Sequence, residues 1–227
     1  MTQTMHYYPI CLDLRHRPCL VVGGGGVGTR KVMGLLAGGA RVTVVSPELT
    51  PELQGLVPER IGWRRGHYHS SDLEGMFLVI GATNDEETNR EIHADASDKN
   101  ILCNISDRPE ICNFILPSVV RRGDLILAVS TSGKSPAFAK KLRKDLEVQF
   151  GEEYAVFLRL MGAIREKLLD QRHEPEAHKQ LFEKLIEDGL PEFIHRGDDA
   201  GVNRLLRHVL GPEFQTESLL KVARRSG

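Results

Sequence analysis

Short apolar runs alternate with amphipathic stretches through the first half of the chain. Residues 19–22 are apolar and run into a cluster of glycines. Helical spacing then holds from Val27 to Ala37 and ends at Gly38-Gly39. Residues 41–46 form the next apolar run, so the pattern predicts a βαβ unit. Residues 47–58 read as a short helix or loop, and residues 61–66 as a third strand. Residues 76–83 are uninterrupted apolar sequence, expected of a buried parallel strand. Thr83-Asn84-Asp85 then caps a helix predicted over residues 86–98, and residues 101–105 make another strand. Residues 6–14 alternate loosely and predict an edge strand ahead of this unit.

After Asp107 the alternation stops. Residues 114–120 and 125–130 are apolar and joined by Arg121-Arg122-Gly123-Asp124, a hairpin signal. Ser135 and Pro136 fit the N-cap and first position of a helix. Phe138, Leu142, Leu146 and Phe150 form one stripe along it, and Val156, Leu160, Ile164 and Leu168 form a second on the next helix. Leu181, Leu185 and Ile186, then residues 202–210, mark two more, and the end from Gln215 is expected to fray. The reading is an α/β chain. A Rossmann-type parallel sheet over residues 1–113 precedes a β-hairpin and helix over 114–150. An α-helical C-terminal domain follows over 151–227. A hairpin with one helix is too small to bury its own core, so the middle segment is expected to pair with a second copy, giving a homodimer.

Composition narrows the class. The chain has 227 residues, 41% hydrophobic and 27% charged, as ordinary globular proteins have. A net charge of −1 gives no general attraction to nucleic acid. No apolar run reaches the length of a membrane span, and residues 1–8 lack a signal-peptide core, so the expected setting is cytoplasmic, away from membranes. Cys11, Cys19, Cys103 and Cys112 show no C-x-x-C spacing and read as small buried residues. His67 and His69 have metal-like spacing but no third ligand, and His173, His178, His195 and His208 read as surface residues. No metal site is predicted.

The glycines carry the first chemistry. They fall as Gly23-x-Gly25-x-x-Gly28 between a strand and a helix. In a dinucleotide site the first permits a tight turn, the second lets backbone approach a pyrophosphate, and the third lets helix and strand pack closely. Gly26 and Val27 add free backbone amides at the helix start, where phosphates bind. Ser46 stands where many such proteins place an acid on the ribose, with Pro47 beside it. No arginine follows that strand to favour a 2′-phosphate, so NAD is expected over NADP. Thr83 and Asn84 sit at the carboxyl end of a strand, where open α/β sheets bind ligands. Gly133-Lys134-Ser135 looks like part of a P-loop, but the leading glycine that motif needs is Ala128 here.

Four stretches, taken in order, resemble the precorrin-2 dehydrogenases and the related amino-terminal half of sirohaem synthases. They are Pro9-Ile10 with Val21-Val22-Gly23-Gly24-Gly25; Ala82-Thr83-Asn84-Asp85 with Asn89; Cys103-Asn104-Ile105-Ser106-Asp107; and Phe114 to Ser118 continuing through Ala128 to Pro136. The resemblance covers about residues 6–150. It implies NAD-dependent oxidation of precorrin-2, a tetrapyrrole, to sirohydrochlorin. It also matches the family's important acid to Asp107, a candidate base, whose alternative reading is a turn residue. Relatives often carry an acid where this chain has Gly26. A polycarboxylate substrate needs donors and positive charge, for which Asn104, Thr131, Ser132, Lys134 and Ser135 are the candidates. Arg121, Arg122 and the Lys140–Lys144 run are further sources of charge, the run reading equally as a solvated helix face. Two alternatives remain open: a bifunctional dehydrogenase and ferrochelatase, and a non-catalytic, dimeric NAD(H)-sensing module.

Overall fold

The computed structural model describes residues 7–106, 108–171 and 175–223. The chain divides into two compact units, Met1–Leu116 and Pro117–Gly227. The second unit therefore takes in both the hairpin and the helical region.

In the first unit, β1 (Pro18–Val22), β2 (Arg41–Ser46), β3 (Ile61–Arg65), β4 (Leu78–Gly81) and β5 (Leu102–Ile105) form a parallel sheet in the order β3-β2-β1-β4-β5. Helix α1 (Gly26–Ala37) connects β1 to β2, a short α2 (Pro51–Gln54) follows β2, and α3 (Glu86–Asp98) connects β4 to β5. Alternation along β1 sends its side chains to opposite faces. Cys19 and Val21 pack with Val32 and Leu35 of α1. Leu20 and Val22 pack with Ile92 and Ala96 of α3. A sheet covered on both faces explains why these strands read as continuous apolar runs.

The open side of β5 is closed by a side chain that imitates a strand. Asn113 Oδ1 accepts from Cys103 N at 2.8 Å and its Nδ2 donates to Ile101 O at 3.0 Å. Asn104 Nδ2 donates to Phe114 O at 3.0 Å. An edge satisfied in this way offers no unpaired ladder to another chain.

Residues 7–14 are not a strand. They make no sheet pairing, and Tyr8 and Ile10 are exposed. Alternation without a partner edge does not make a strand. Cys11 lies in this stretch and is exposed, unlike the expectation for the cysteines, whereas Cys19 and Cys103 are buried. Burial pushes the Cys19 thiol up to about 11 and the Cys103 thiol up to about 12. Since the thiolate is the nucleophile, iodoacetamide at pH 8 is expected to label Cys11 in the native protein and to spare Cys19 and Cys103 until it unfolds. Peptide mass spectrometry checks this, and early labelling of Cys103 would contradict the packing.

In the second unit, β6 (Ser118–Arg122) and β7 (Leu125–Val129) pair antiparallel around Gly123, whose φ is +56°. Helices α4 (Pro136–Gln149) and α5 (Glu153–Asp170) pack on the hairpin. Arg122 closes α4: its Nε donates to Phe150 O at 2.9 Å and its Nη2 to Glu147 O at 3.1 Å. Of the stripe expected on α4, Leu142 and Leu146 are half-buried and Phe138 is exposed.

Helices α6 (Pro175–Glu187), α7 (Leu190–His195), α8 (Asp199–Leu210) and α9 (Thr216–Ala223) complete the unit. Their core joins Leu160, Ile164 and Leu168 to Leu185, Leu206 and Phe214. The end of the chain does not fray at Gln215. Phe214 is fully buried, and Leu219 on α9 is buried with it. Lys167 Nζ, which donates to Glu213 O at 2.5 Å, lies 4.4 Å from the Phe214 ring. His178 is buried, which corrects its surface reading, and His195 pairs with Glu153 at 3.1 Å. His173 lies outside the described residues.

Candidate functional site

Chain order runs β1, β2, β3 outward to one edge and β4, β5 to the other, so the direction reverses between β1 and β4. Ligands of doubly wound sheets bind outside the carboxyl ends of the strands at such a switch point. The glycine turn and the β4–α3 turn both lie there.

Each motif glycine can be tested by asking what a side chain would meet. Gly23 has φ +116°, and a Cβ on it would lie 2.4 Å from Ala82 O. Gly28 is closed off by backbone, because a Cβ there would lie 2.0 Å from Gly23 O. Gly25 and Gly26 differ, since a Cβ on either meets nothing within 4 Å. Gly25 is the N-cap of α1, makes no side-chain capping bond, and is followed by no acid in the first turn. The first intrahelical bond is Thr29 N to Gly25 O at 2.9 Å. The amides of Gly26, Val27 and Gly28 therefore precede the helical ladder, beside open space. That combination of uncapped amides, no repelling carboxylate and no blocking side chain fits a pyrophosphate.

The β2 side forms the next part of the rim. Gly24 was not singled out by the motif, yet a Cβ on it would lie 2.2 Å from Glu48 O and 3.0 Å from Ser46 Oγ. Gly24 O accepts from Thr50 N at 3.0 Å, so the glycine turn is tied to the segment after β2. Ser46 is buried and its carbonyl accepts from Trp63 Nε1 at 3.0 Å, while Pro47 is exposed. No arginine follows β2 directly, but Arg65 at the end of β3 is paired with Ser46 in the ladder. Its Nε donates to Pro47 O at 3.3 Å. A single-strand reading misses this cation because it arrives from the neighbouring strand.

The β4 side is more tightly bonded. Thr83 O accepts from Asn89 Nδ2 at 3.1 Å, and Thr83 Oγ1 accepts from Asp85 N at 3.2 Å. Asn84 is exposed. Asp85 caps α3 through Glu87 N and Thr88 N, both at 3.3 Å, and accepts from the Thr88 hydroxyl. That hydroxyl is the main reason its carboxyl lies below the usual carboxylate range. A lowered value means that the cap is intact above the unfolded pKa of about 3.9 and is lost as pH falls through the lower folded value.

At the end of β5, Ser106 N donates to Gly81 O at 2.9 Å, and Ser106 Oγ is buried with no partner. Arg108 pairs with Glu86 in the first turn of α3 and with Glu110 at 3.6 Å. Asp107, the candidate base, lies outside the described residues. Its chain neighbours are held by Cys112, whose Sγ accepts from Ile105 N at 3.1 Å and donates to Arg108 O at 3.1 Å. Asn104 is buried and its Nδ2 is engaged by Phe114 O.

The remaining candidates belong to the second unit, where one turn gathers them. Thr131 O accepts from Lys134 N at 3.0 Å and Thr131 Oγ1 accepts from Ser135 N at 3.1 Å. Ser132, at φ +51°, donates its amide to Ser130 Oγ at 3.1 Å. Ser135 Oγ caps α4 by accepting from Phe138 N at 3.3 Å. Lys134 is exposed. In the basic run, Lys141 pairs with Asp145 at 2.5 Å and Arg143 pairs with Glu147, so both serve the helix surface. Among the described residues there is no group of three or more His, Cys, Asp or Glu arranged to hold a metal, and no helix long and apolar enough to cross a membrane.

A parallel sheet with this glycine turn at its switch point defines a dinucleotide-binding protein of the Rossmann class. Comparison with known proteins makes that particular. Residues 10–118 match the family model described as putative NAD(P)-binding, and residues 122–149 match the model for the central part of sirohaem biosynthesis proteins. Over these stretches the chain is similar to the sirohaem synthases and to a precorrin-2 dehydrogenase. Siroheme synthase 3 of Aeromonas hydrophila is 35% identical over 214 residues, covering 93% of this chain and 46% of that protein. The siroheme synthase of Methylobacillus flagellatus is 37% identical over 207 residues, covering 91% of this chain and 44% of that one. This chain thus spans less than half the length of the curated relatives it matches. The solved structure titled SirC, precorrin-2 dehydrogenase, aligns over 96% of this chain and 100% of its own, with a TM-score of 0.69 and 25% identity.

Proposed function

We propose that this protein is an NAD-dependent precorrin-2 dehydrogenase, forming sirohydrochlorin in sirohaem synthesis. The observation that carries the reading is the pair Gly25 and Gly26, open to free space beside the uncapped start of α1. Bound NAD⁺ supplies the hydride acceptor, and the protein's part is to bind, orient and move a proton. The amides of Gly26, Val27 and Gly28 hold the diphosphate. Ser46 and Pro47 flank the adenosine ribose, and Thr83 and Asn84 wall the opposite side. The substrate loses one hydride and one proton, and Asp107 takes the proton. Thr131, Ser132, Lys134 and Ser135 serve the substrate's carboxylates, charge-assisted at Lys134, while Asn104, buried and donating to Phe114 O, serves the β5 edge instead. The work is done in the cytoplasm.

The experiment is direct. Precorrin-2 and NAD⁺ are incubated with the protein, and the sirohydrochlorin spectrum is followed together with NADH formation. Turnover supports the reading. Cofactor binding without turnover would remove it and favour an NAD(H)-sensing module.

The active form we propose is a homodimer built on the hairpin. Val119 and Ile126 are exposed on one face of it, and Phe138 and Val148 are exposed on α4. Exposed apolar groups in this number favour coverage by a partner. Ile126→Arg is expected to shift the protein from dimer to monomer in light scattering after size exclusion, with its thermal midpoint little changed. A wild type that is monomeric at micromolar concentration would overturn the dimer.

A further inference from the structure

We propose that Asn89 is a positioning residue for the cofactor, and this rests on the nucleotide reading above. From beneath the β4–α3 turn, its amide fixes the Thr83 peptide that walls the cleft. Asn89 is only 7% exposed and sits on α3 against the end of β4. A Cβ on Gly81 would lie 2.8 Å from Asn89 Oδ1 and 2.6 Å from Ile105 Cδ1, so Gly81 leaves room for both. The amide is used on one side only. Nδ2 donates to Thr83 O at 3.1 Å, while Oδ1 is buried and has no partner.

That asymmetry is the argument. A buried acceptor without a donor is destabilising. Leucine has a similar shape, would remove the penalty, and would add apolar contact beside Ile92 and Ile105. Stability alone therefore favours leucine here. What leucine lacks is the donor to Thr83 O. The turn it would leave unheld has little slack: a Cβ on Gly23 would lie 2.4 Å from Ala82 O and 3.0 Å from Thr83 N. The glycine turn abuts the peptide that enters Thr83 and Asn89 holds the peptide that leaves it, so a rotation at Thr83 changes the space open to the cofactor. Asp85 N to Thr83 Oγ1 holds the residue from its side chain, and Asn89 holds it from its carbonyl. Sites that trade folding stability for a fixed geometry are a common outcome of selection for function.

The test uses the full chain and two variants that remove the donor while changing packing in opposite senses. Asn89→Leu is expected to keep or raise the thermal midpoint, and Asn89→Ala to lower it. Both are expected to weaken NADH binding by about 10-fold in fluorescence titration. With saturating NAD⁺, kcat is expected to stay within about 2-fold of wild type, so the effect falls on KM. Unchanged NADH affinity in Asn89→Leu would overturn the proposal. So would a loss confined to Asn89→Ala, in step with its stability. If Asn89→Leu does not fold, the affinity of Asn89→Ala measured well below its unfolding temperature decides in the same way. Wild-type protein that binds no NADH overturns the nucleotide reading itself, and the role of Asn89 with it.

Discussion

Gly25→Ala is expected to leave the fold intact and to weaken NAD binding by at least about 100-fold. Gly25 has φ −80° and ψ −172°, a conformation that alanine adopts without strain. A Cβ there touches nothing, so no protein atom has to move. Replacing glycine by alanine at a compatible position stabilises by about 0.4–1 kcal/mol through the unfolded chain. The thermal midpoint should therefore hold or rise slightly. The methyl group instead occupies the space in front of the α1 amides. Loss of two charge-assisted hydrogen bonds, at about 1.5–3 kcal/mol each, is worth more than 100-fold in affinity. Gly28→Ala makes the contrast. Its Cβ would lie 2.0 Å from Gly23 O, which is backbone, so α1 must shift away from β1. Overpacking of this kind costs about 1–3 kcal/mol, and the shift misplaces the same amides. Gly28→Ala should lose both stability and cofactor, Gly25→Ala only cofactor. NADH titration beside thermal unfolding separates the two, and a Gly25→Ala protein that binds NADH normally would disprove the phosphate cradle.

The contrast also shows what a sequence makes legible. Gly23 and Gly28 are readable because positive φ and backbone contact leave glycine as the residue that fits. The boundaries of α1 and α3 are readable because Gly38-Gly39 and Asp85 terminate and cap them locally. Local alternation misleads at residues 7–14, since strand formation needs a partner edge that the sheet does not offer them. The end of the chain misleads in the opposite sense. Residues from Gln215 read as a fraying end, but Leu219 on α9 is buried together with Phe214 by helices distant in sequence. In the site, Arg65 escapes the sequence reading, and Gly24 and Asn89 are named there only within the stretches that carry the resemblance, without a role, because each acts through a neighbour on another element. Side chain to backbone bonds of this kind have no period and no spacing. Asp107 is the reverse case, a residue selected by resemblance to a family and not by any local pattern.

Asp107→Asn is expected to lower kcat by about 10²–10⁴-fold, the usual worth of a positioned acid or base, while leaving the affinity for NADH unchanged. Oxidation of precorrin-2 removes a hydride and a proton, and the hydride has its acceptor in the cofactor. The proton needs another. Asparagine keeps the size and shape of aspartate but cannot take up a proton at neutral pH. The loss should therefore appear in the chemical step and not in binding, which single-turnover measurement separates from product release. The described neighbours of position 107 are bonded to other parts of the chain. Cys112 Sγ bonds both Ile105 N and Arg108 O, Ser106 N is held by Gly81 O, and Arg108 is paired with Glu86. These contacts are made by the described residues on either side of position 107. They also distinguish this variant from those at Gly25 and Asn89, whose losses fall on cofactor affinity. Unchanged turnover in Asp107→Asn would assign the residue to the turn Ser106-Asp107-Arg108-Pro109, and the proton would then have to leave through water or a substrate carboxylate.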